Sequence, residues 1–153
     1  FTIKVQDGIS IFGDVCSHVP GSNGEPIDRL KTGVTVTGYG SDAALALDNA
    51  MSSIGCEDYA VYTSISSEDD QGNVVLNTAS YGYFNQLFGV YENSEDSNND
   101  GKDDKYWYWS LYTGSGSSAA YANYLIGWYS PLGEAPANFA VDTFTIEYTY
   151  SVW

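Results

Sequence analysis

Basic residues are scarce in this chain. Five Lys and Arg residues face 20 Asp and Glu residues, so the formal net charge is −15. Binding to nucleic acid or to an anionic membrane surface depends on clustered Lys and Arg side chains. We therefore expect no nucleic-acid partner. An acidic surface suits divalent cations or basic partners, and it also serves solubility alone.

The sequence also lacks a long apolar run, a polybasic anchor and a recognisable secretion signal. We therefore expect no insertion into a membrane. The chain begins at Phe1 with a strand-like pattern, which we interpret as a mature or excised terminus, so a removed signal peptide is neither indicated nor excluded. We expect a secreted or cell-surface protein.

Motifs of catalysis are missing as well. His18 is the single histidine, and there is no Gly-x-Ser-x-Gly elbow, phosphate-binding loop or dinucleotide fingerprint. Twenty carboxylates offer many pairs for glycosidase chemistry, but their number alone does not indicate an active site. The sequence predicts a protein that is not an enzyme.

Cysteine is rare, with two residues at positions 16 and 56. In a secreted protein, Cys16 and Cys56 are expected to form a disulfide. One alternative is a pair of free buried thiols. Another is a metal site that adds His18, but three ligands at this spacing match no common zinc pattern.

The apolar pattern predicts mostly strands. We read 153 residues as one extracellular β-rich domain, residues 1–153. Ser41 caps one predicted helix, which has Ala44, Leu47, Met51 and Ile54 at helical spacing and ends at Gly55. The fold class is mainly β (α+β), a β-grasp-like or β-sandwich-like mixed sheet with one helix at about residues 42–54. Strands are predicted at residues 1–5, 9–15, 33–39, 59–65, 74–76, 81–91, 106–112, 121–129 and 139–152, with loops at 20–26, 66–73 and 114–118.

An acidic stretch has the spacing of a calcium-binding loop. Residues 96–104 read D-x-N-x-D-G-x-x-D, and oxygen side chains at alternating positions followed by glycine allow a loop to wrap around Ca²⁺. Trp107 replaces the bidentate Glu of an EF-hand, so the loop is more similar to those of thrombospondin type 3 repeats. The alternative is a solvated acidic turn. The predicted ligands are the side chains of Asp96, Asn98, Asp100 and Asp104 and the carbonyl of Lys102.

Aromatic residues are abundant, with 14 Tyr, six Phe and four Trp. In residues 106–109 (YWYW), alternate rings of a strand must point to opposite faces. If one face fills the core, the other is exposed and suits sugar stacking, a planar ligand or subunit contacts. Alternatively, both faces are covered. The predicted ligand-binding residues are Trp107, Tyr108, Trp109 and Trp128.

Several short motifs resemble one family. They are SDAALALDNA at 41–50, an aromatic-glycine segment at 81–90, YWYWSLYTG at 106–114, ANYLIG at 122–127 and VDTFTIEY at 141–148. Their order, over roughly residues 33–150, is similar to the transcobalamin C-terminal-like domain, found on microbial surface proteins. The resemblance implies a β-grasp-like fold with one helix against a mixed sheet. Thr113 and Val141 depart from the family's Asn and Gly, and cobalamin binding does not carry over safely.

Three functions fit these observations. The first is a non-enzymatic binding or adhesion module with an aromatic contact surface and a calcium-stabilised loop. The second is a structural subunit of an extracellular filament or sheath, assembled through an unpaired terminal strand at residues 1–5 or 144–153. The third is a carbohydrate- or corrinoid-binding domain. The expected partner is accordingly another protein, a second copy, a glycan or a small planar ligand.

Overall fold

The computed structural model describes residues 1–22, 25–68, 70–71, 74–114, 116, 119–121, 128 and 141–153, with only the backbone of 61–68 and 74–83 described. Most of the predicted strand at 121–129 and loop at 114–118 lies outside these residues. The elements, in chain order, are β1 (Thr2–Val5), α1 (Pro26–Thr32), β2 (Val34–Thr35), α2 (Ala43–Ser53), a 3₁₀ helix (Glu57–Tyr59), β3 (Val61–Glu68), β4 (Val74–Leu87), β5 (Val90–Tyr91), β6 (Asn93–Glu95), β7 (Lys105–Thr113), β8 (Ala120–Tyr121) and β9 (Phe144–Val152).

The described strands form two sheets. The larger has the order β2-β1-β9-β7-β6, and β8 also pairs with β7; the smaller has the order β3-β4-β5. The first strand runs parallel to the last, β9, while every other pairing is antiparallel. The predicted mainly β, α+β class with a mixed sheet is therefore confirmed.

Alternation along β9 determines which side chains enter the core. Phe144, Ile146 and Tyr148 are buried, whereas Thr145 and Glu147 on the other face are partly exposed. Side chains of a strand alternate between the two faces of its sheet, so one face can be apolar and the other polar. β9 therefore has one apolar face in the core and one polar face outside it.

The cap of helix α2 lies one residue later than predicted. Asp42 caps the helix, because its side chain accepts a hydrogen bond from the backbone N–H of Leu45 at 2.7 Å. Asp and Ser are equally good caps, so the residue type could not separate Ser41 from Asp42. The buried face of α2 joins the same core cluster as β1, β7 and β9. A Cβ atom at Gly38 would lie 1.7 Å from the Ala46 carbonyl oxygen, so glycine allows the segment after β2 to pass against α2.

The prediction of one helix was wrong, because α1 is a second helix. It begins at Pro26, and its last turn is closed by Gly33, whose N–H donates to the carbonyls of Arg29 and Leu30. Proline at the first helical position and glycine just after the last are standard helix boundaries. The signal was present in the sequence, but the neighbouring Gly- and Pro-rich loop obscured it.

Two predicted strands have a different structure. Residues 9–15 form no strand, because Gly8 and Gly13 turn the chain with φ of 81° and 109°. Residues 81–91 are not one strand but the end of β4, a turn and β5. Phe88 and Gly89 both have positive φ, 52° and 87°, which is the backbone of a two-residue hairpin turn.

Cys16 and Cys56 lie side by side in the core. Both are fully buried, their sulfur atoms are at bonding distance and their Cα atoms are 6.3 Å apart. This separation lies within the range of disulfides. Among the described residues, no helix combines the length and apolar character needed to cross a bilayer.

The cysteine pair gives a first prediction. We expect reduction, or the double variant Cys16→Ala and Cys56→Ala, to lower the free energy of unfolding by about 4 kcal/mol, because the cross-link closes a long loop in the unfolded chain. Urea denaturation with and without reductant measures this difference. In the double variant, reductant should have no effect. Equal stability of the oxidised and reduced wild-type proteins would contradict the prediction.

Candidate functional site

The tryptophans predicted as ligand contacts point inwards. Trp107 is 7% exposed, Trp109 1% and Trp128 0%. A ligand at the surface cannot reach Trp109 or Trp128 in this fold. In residues 106–109 the indoles thus face the core and the phenols of Tyr106 and Tyr108 face the other side of the sheet, and ligand binding by these residues stays a prediction.

The inward indoles form a ladder with β9. Trp107 is paired with Tyr150 and Trp109 with Tyr148, and the ring centroids are 4.9 and 5.0 Å apart. The indole N–H of Trp109 donates to the carbonyl of Val90 at 2.9 Å. Aromatic pairs contribute beyond their buried area, so this ladder accounts for part of the unusual aromatic content.

Tyr148 connects the ladder to the second sheet. Its hydroxyl donates to the carbonyl of Tyr91 at 2.8 Å. Burial raises the pKa of this hydroxyl well above its ordinary value, and the nearby Glu92 carboxylate adds to the shift. Tyr148 therefore stays protonated and acts as a structural donor.

The outer face of the same strands carries phenols and hydroxyls. Tyr106 is paired with Ser151, Tyr108 with Thr149 and Tyr112 with Thr145. At the β6 end of this face lies an open groove of about 770 Å³. Of the predicted contacts, Trp107 and Tyr108 are among the lining residues of the groove. It is lined by Glu92, Asn93, Ser94, Tyr106, Trp107, Tyr108 and Trp153.

Trp153 is an exposed wall of the groove, and two hydrogen bonds hold it in place. The residue is 85% exposed. Its backbone N–H donates to the Asp104 carbonyl at 2.7 Å, and its indole N–H donates to the Ser151 hydroxyl at 3.1 Å. The ring lies edge-on to Tyr106, with centroids 6.4 Å apart. Both N–H groups are used by the protein, so the surface that Trp153 offers is its apolar ring.

Sequence reasoning missed Trp153 as a site residue, although a signal for it existed. Phe144, Ile146 and Tyr148 alternate towards the core, so continuing the same alternation places Trp153 on the outer face with Ser151. An aromatic residue at an outward position is a candidate contact.

Glu92 supplies a positioned carboxylate to the groove. Its Oε1 accepts a hydrogen bond from the backbone N–H of Trp109 at 3.1 Å, and its own backbone N–H donates to the Asn85 carbonyl at 2.9 Å. The chain thereby passes from the smaller sheet to β6 at this residue. Among the described residues that line the groove, Glu92 is the one with an ionisable acidic or basic side chain other than tyrosine.

The acidic loop joins β6 to β7 and turns its oxygens towards its own backbone. The carboxylate of Asp96 accepts hydrogen bonds from the N–H groups of Asp100 and Gly101 at 3.2 and 2.8 Å. The Asn98 side chain accepts from Asp100 at 3.0 Å, and the Asp100 carboxylate accepts from Lys102 at 2.9 Å. These bonds use the side chains at alternating positions of the loop.

The acidic loop contacts two residues that line the groove, Tyr106 and Ser94. The hydroxyl of Tyr106 donates to the Asp103 carbonyl at 2.6 Å, and the Ser94 hydroxyl donates to the Asp103 carboxylate. Asp104 donates from its N–H to the Glu95 carbonyl at 2.9 Å. A change in the loop would therefore be transmitted to two residues of the groove.

The fit of a metal ion to the loop can be tested on the described residues. Among them, no group of three or more His, Cys, Asp or Glu side chains is arranged to hold a metal. Asp104 directs both oxygens at Ser97, to its N–H and its hydroxyl, each at 2.6 Å. In this conformation the loop is not a ready-made calcium site, and calcium binding stays a prediction.

The alternative metal site also lacks its ligands. Cys16 and Cys56 face each other across a disulfide distance. His18 is exposed and has its Nδ1 atom 3.1 Å from the Gly55 carbonyl oxygen. The cysteine pair therefore has a structural role, as a cross-link in the core.

No protein-family model, curated protein or solved structure matches this chain. The resemblance to the transcobalamin C-terminal-like domain accordingly stays a prediction.

Asp104 gives a prediction about pH. The side-chain hydrogen bond from Ser97 holds the pKa of this carboxyl below its ordinary value of 3.8, and the backbone N–H of Ser97 adds to the shift. A lowered pKa in the folded state adds stability above 3.8, and this stability is lost as the pH falls through the folded pKa. We expect Asp104→Asn to lower Tm at neutral pH, and the gap from wild type to close in acid. Thermal melts across pH in the presence of chelator measure this, and in a Ser97→Ala background the same substitution should cost less. A gap that is independent of pH would contradict the assignment.

Proposed function

We propose that this chain is a non-enzymatic binding module, secreted or held at a cell surface, and that its contact surface is the groove between β6, β7 and Trp153. The observation that carries the proposal is the exposed but fixed indole of Trp153. An aromatic ring held rigidly at the surface loses little conformational entropy when a ligand covers it.

The cysteine pair supports the proposed location. Disulfides persist in oxidising compartments and are rare in the cytosol. The sulfur atoms of Cys16 and Cys56 are at bonding distance, and this arrangement is compatible with secretion.

The sheet order favours binding over assembly by strand exchange. β1 lies between β2 and β9, and β9 lies between β1 and β7. Strand exchange needs a strand with an open edge. Of the two terminal strands, the predicted donors, β1 is paired on both sides at Thr2 and Ile3, and β9 is paired on both sides at Thr145–Tyr148, so we place assembly second.

The groove proposal is tested with ligands of several classes. We expect the protein to bind at least one of four probes: neutral oligosaccharides, a short basic peptide, cobalamin or lipid vesicles. Trp153→Ala should weaken that binding, whereas Tyr39→Ala, which removes an aromatic ring that is 82% exposed outside the groove, should not. Isothermal calorimetry measures the affinities, and light scattering measures the molar mass.

Two results would contradict this function. The first is the absence of Trp153-dependent binding to every probe. The second is a stable oligomer that Trp153→Ala dissociates, since the groove would then be a subunit interface.

Calcium at the acidic loop is a separate part of the proposal. It is supported by the spacing of Asp96, Asn98 and Asp100 and by the turn at Gly101, whose φ is 87°. Binding would require the loop carboxylates to rearrange around the ion. Calcium would then order the loop that contacts Tyr106 and Trp153, rather than take part in chemistry.

Thermal stability tests the calcium proposal. A ligand that binds only the folded state stabilises it by about 2.7 kcal/mol at a hundredfold excess over Kd. We expect Ca²⁺ to raise Tm in wild type, and to raise it less in Asp100→Asn, because an amide keeps the hydrogen bond to Lys102 but lacks the charge. Glu57→Gln removes the same charge from an exposed site elsewhere and should leave the response to calcium intact. A Tm that neither calcium nor chelator changes would exclude the site.

A further inference from the structure

We infer that the ligand of the groove is a positively charged polypeptide segment, whose arginine side chains stack on Trp153 and pair with the carboxylate of Glu92. This inference rests on the proposed function, because it names the partner class of the same groove. The proposed partner is a basic protein.

The charge of the groove favours a cation. Its described lining residues include the acidic Glu92 and, within that part of the chain, neither Lys nor Arg. Lys102 and Lys105 are close in sequence, but neither lines the groove. The adjoining loop adds carboxylates at Glu95, Asp96, Asp100, Asp103 and Asp104, and the whole chain carries −15. Such a field attracts a cationic partner over distances of about a Debye length, ~8 Å at physiological ionic strength.

The same charge disfavours the other occupants. A second copy of this chain also has a net charge of −15. Like charges placed together across an interface oppose binding. Nucleic acids and acidic glycans are repelled for the same reason. An uncharged glycan is not repelled, so the experiment must distinguish it from a basic peptide as the ligand of the groove.

The geometry of Trp153 suits arginine. Because its indole N–H already donates to Ser151, the ring face is what remains for a ligand. The face of an aromatic ring is the negative end of its quadrupole, and cations bind over it. Guanidinium is planar and weakly hydrated, so arginine side chains both stack on aromatic rings and pair with carboxylates.

Glu92 supplies the carboxylate with which a guanidinium can pair. A carboxylate pairs best with guanidinium when it is already oriented, because the pair then loses less side-chain entropy. The backbone N–H of Trp109 fixes one oxygen of Glu92 at 3.1 Å. The negative charge is therefore positioned within the groove before any ligand arrives.

The experiment compares a short arginine- and glycine-containing peptide with the same peptide carrying citrulline, the uncharged isostere, at every arginine. A set of neutral oligosaccharides is the third probe. We expect the arginine peptide to bind, the citrulline peptide to bind at least about tenfold more weakly, and the affinity to fall as salt rises.

Two matched pairs of variants assign the binding to the groove. Trp153→Leu keeps an apolar side chain without a ring and leaves the net charge unchanged, so general attraction by an acidic protein persists. We expect it to weaken the arginine peptide about tenfold, and Tyr39→Ala to have no effect. Glu92→Gln retains an oxygen that can accept from Trp109, and it should weaken binding more than Glu57→Gln, which removes the same charge elsewhere. Thermal melts of all variants verify the fold.

Three outcomes would overturn the inference. Equal binding of the arginine and citrulline peptides would remove the role of charge. Equal affinity of wild type and Trp153→Leu would show that the peptide binds elsewhere. Trp153-dependent binding of an oligosaccharide without binding of the arginine peptide would preserve the binding-module proposal and replace its ligand class.

Discussion

The antiparallel pairing of β7 with β9 determines most of the molecule. It places Trp109 opposite Tyr148 and Leu111 opposite Ile146, so one face of both strands is aromatic and aliphatic. A shift of one residue would move every one of these side chains to solvent. The same register places Tyr106 beside Ser151 and brings Trp153 next to Asp104. The core and the groove therefore result from one pairing.

The sequence was most informative where a single periodicity ran without interruption. The alternation in β9 and the helical spacing of Ala44, Leu47 and Met51 were sufficient, because each pattern follows from local geometry. Where the chain changes direction, prediction failed. The reversal at Phe88 and Gly89 lacks the Asn-Gly or Asp-Gly pair that usually identifies such a turn.

The site was harder to predict than the fold for a related reason. Alternation shows that Trp107 and Tyr108 point to opposite sides, but it does not show which side is the core. That choice depends on β1, the neighbouring strand in the sheet, whose buried Ile3 and Val5 lie beside the β9 residues Ile146 and Tyr148. The groove is also lined by Glu92 and Trp153, which are 61 residues apart in sequence. They line the same groove because β6 and β9 lie on either side of β7.

The distribution of charge explains why an acidic chain can keep a carboxylate in the groove. Self-repulsion among many carboxylates opposes folding. In the acidic loop part of this repulsion is offset because backbone N–H groups donate charge-assisted hydrogen bonds to Asp96, Asp100 and Asp104. Glu92 receives the same support from the N–H of Trp109. Backbone amides neutralise little of the net charge, so each carboxylate is stabilised locally while the field of the whole surface still reaches a partner.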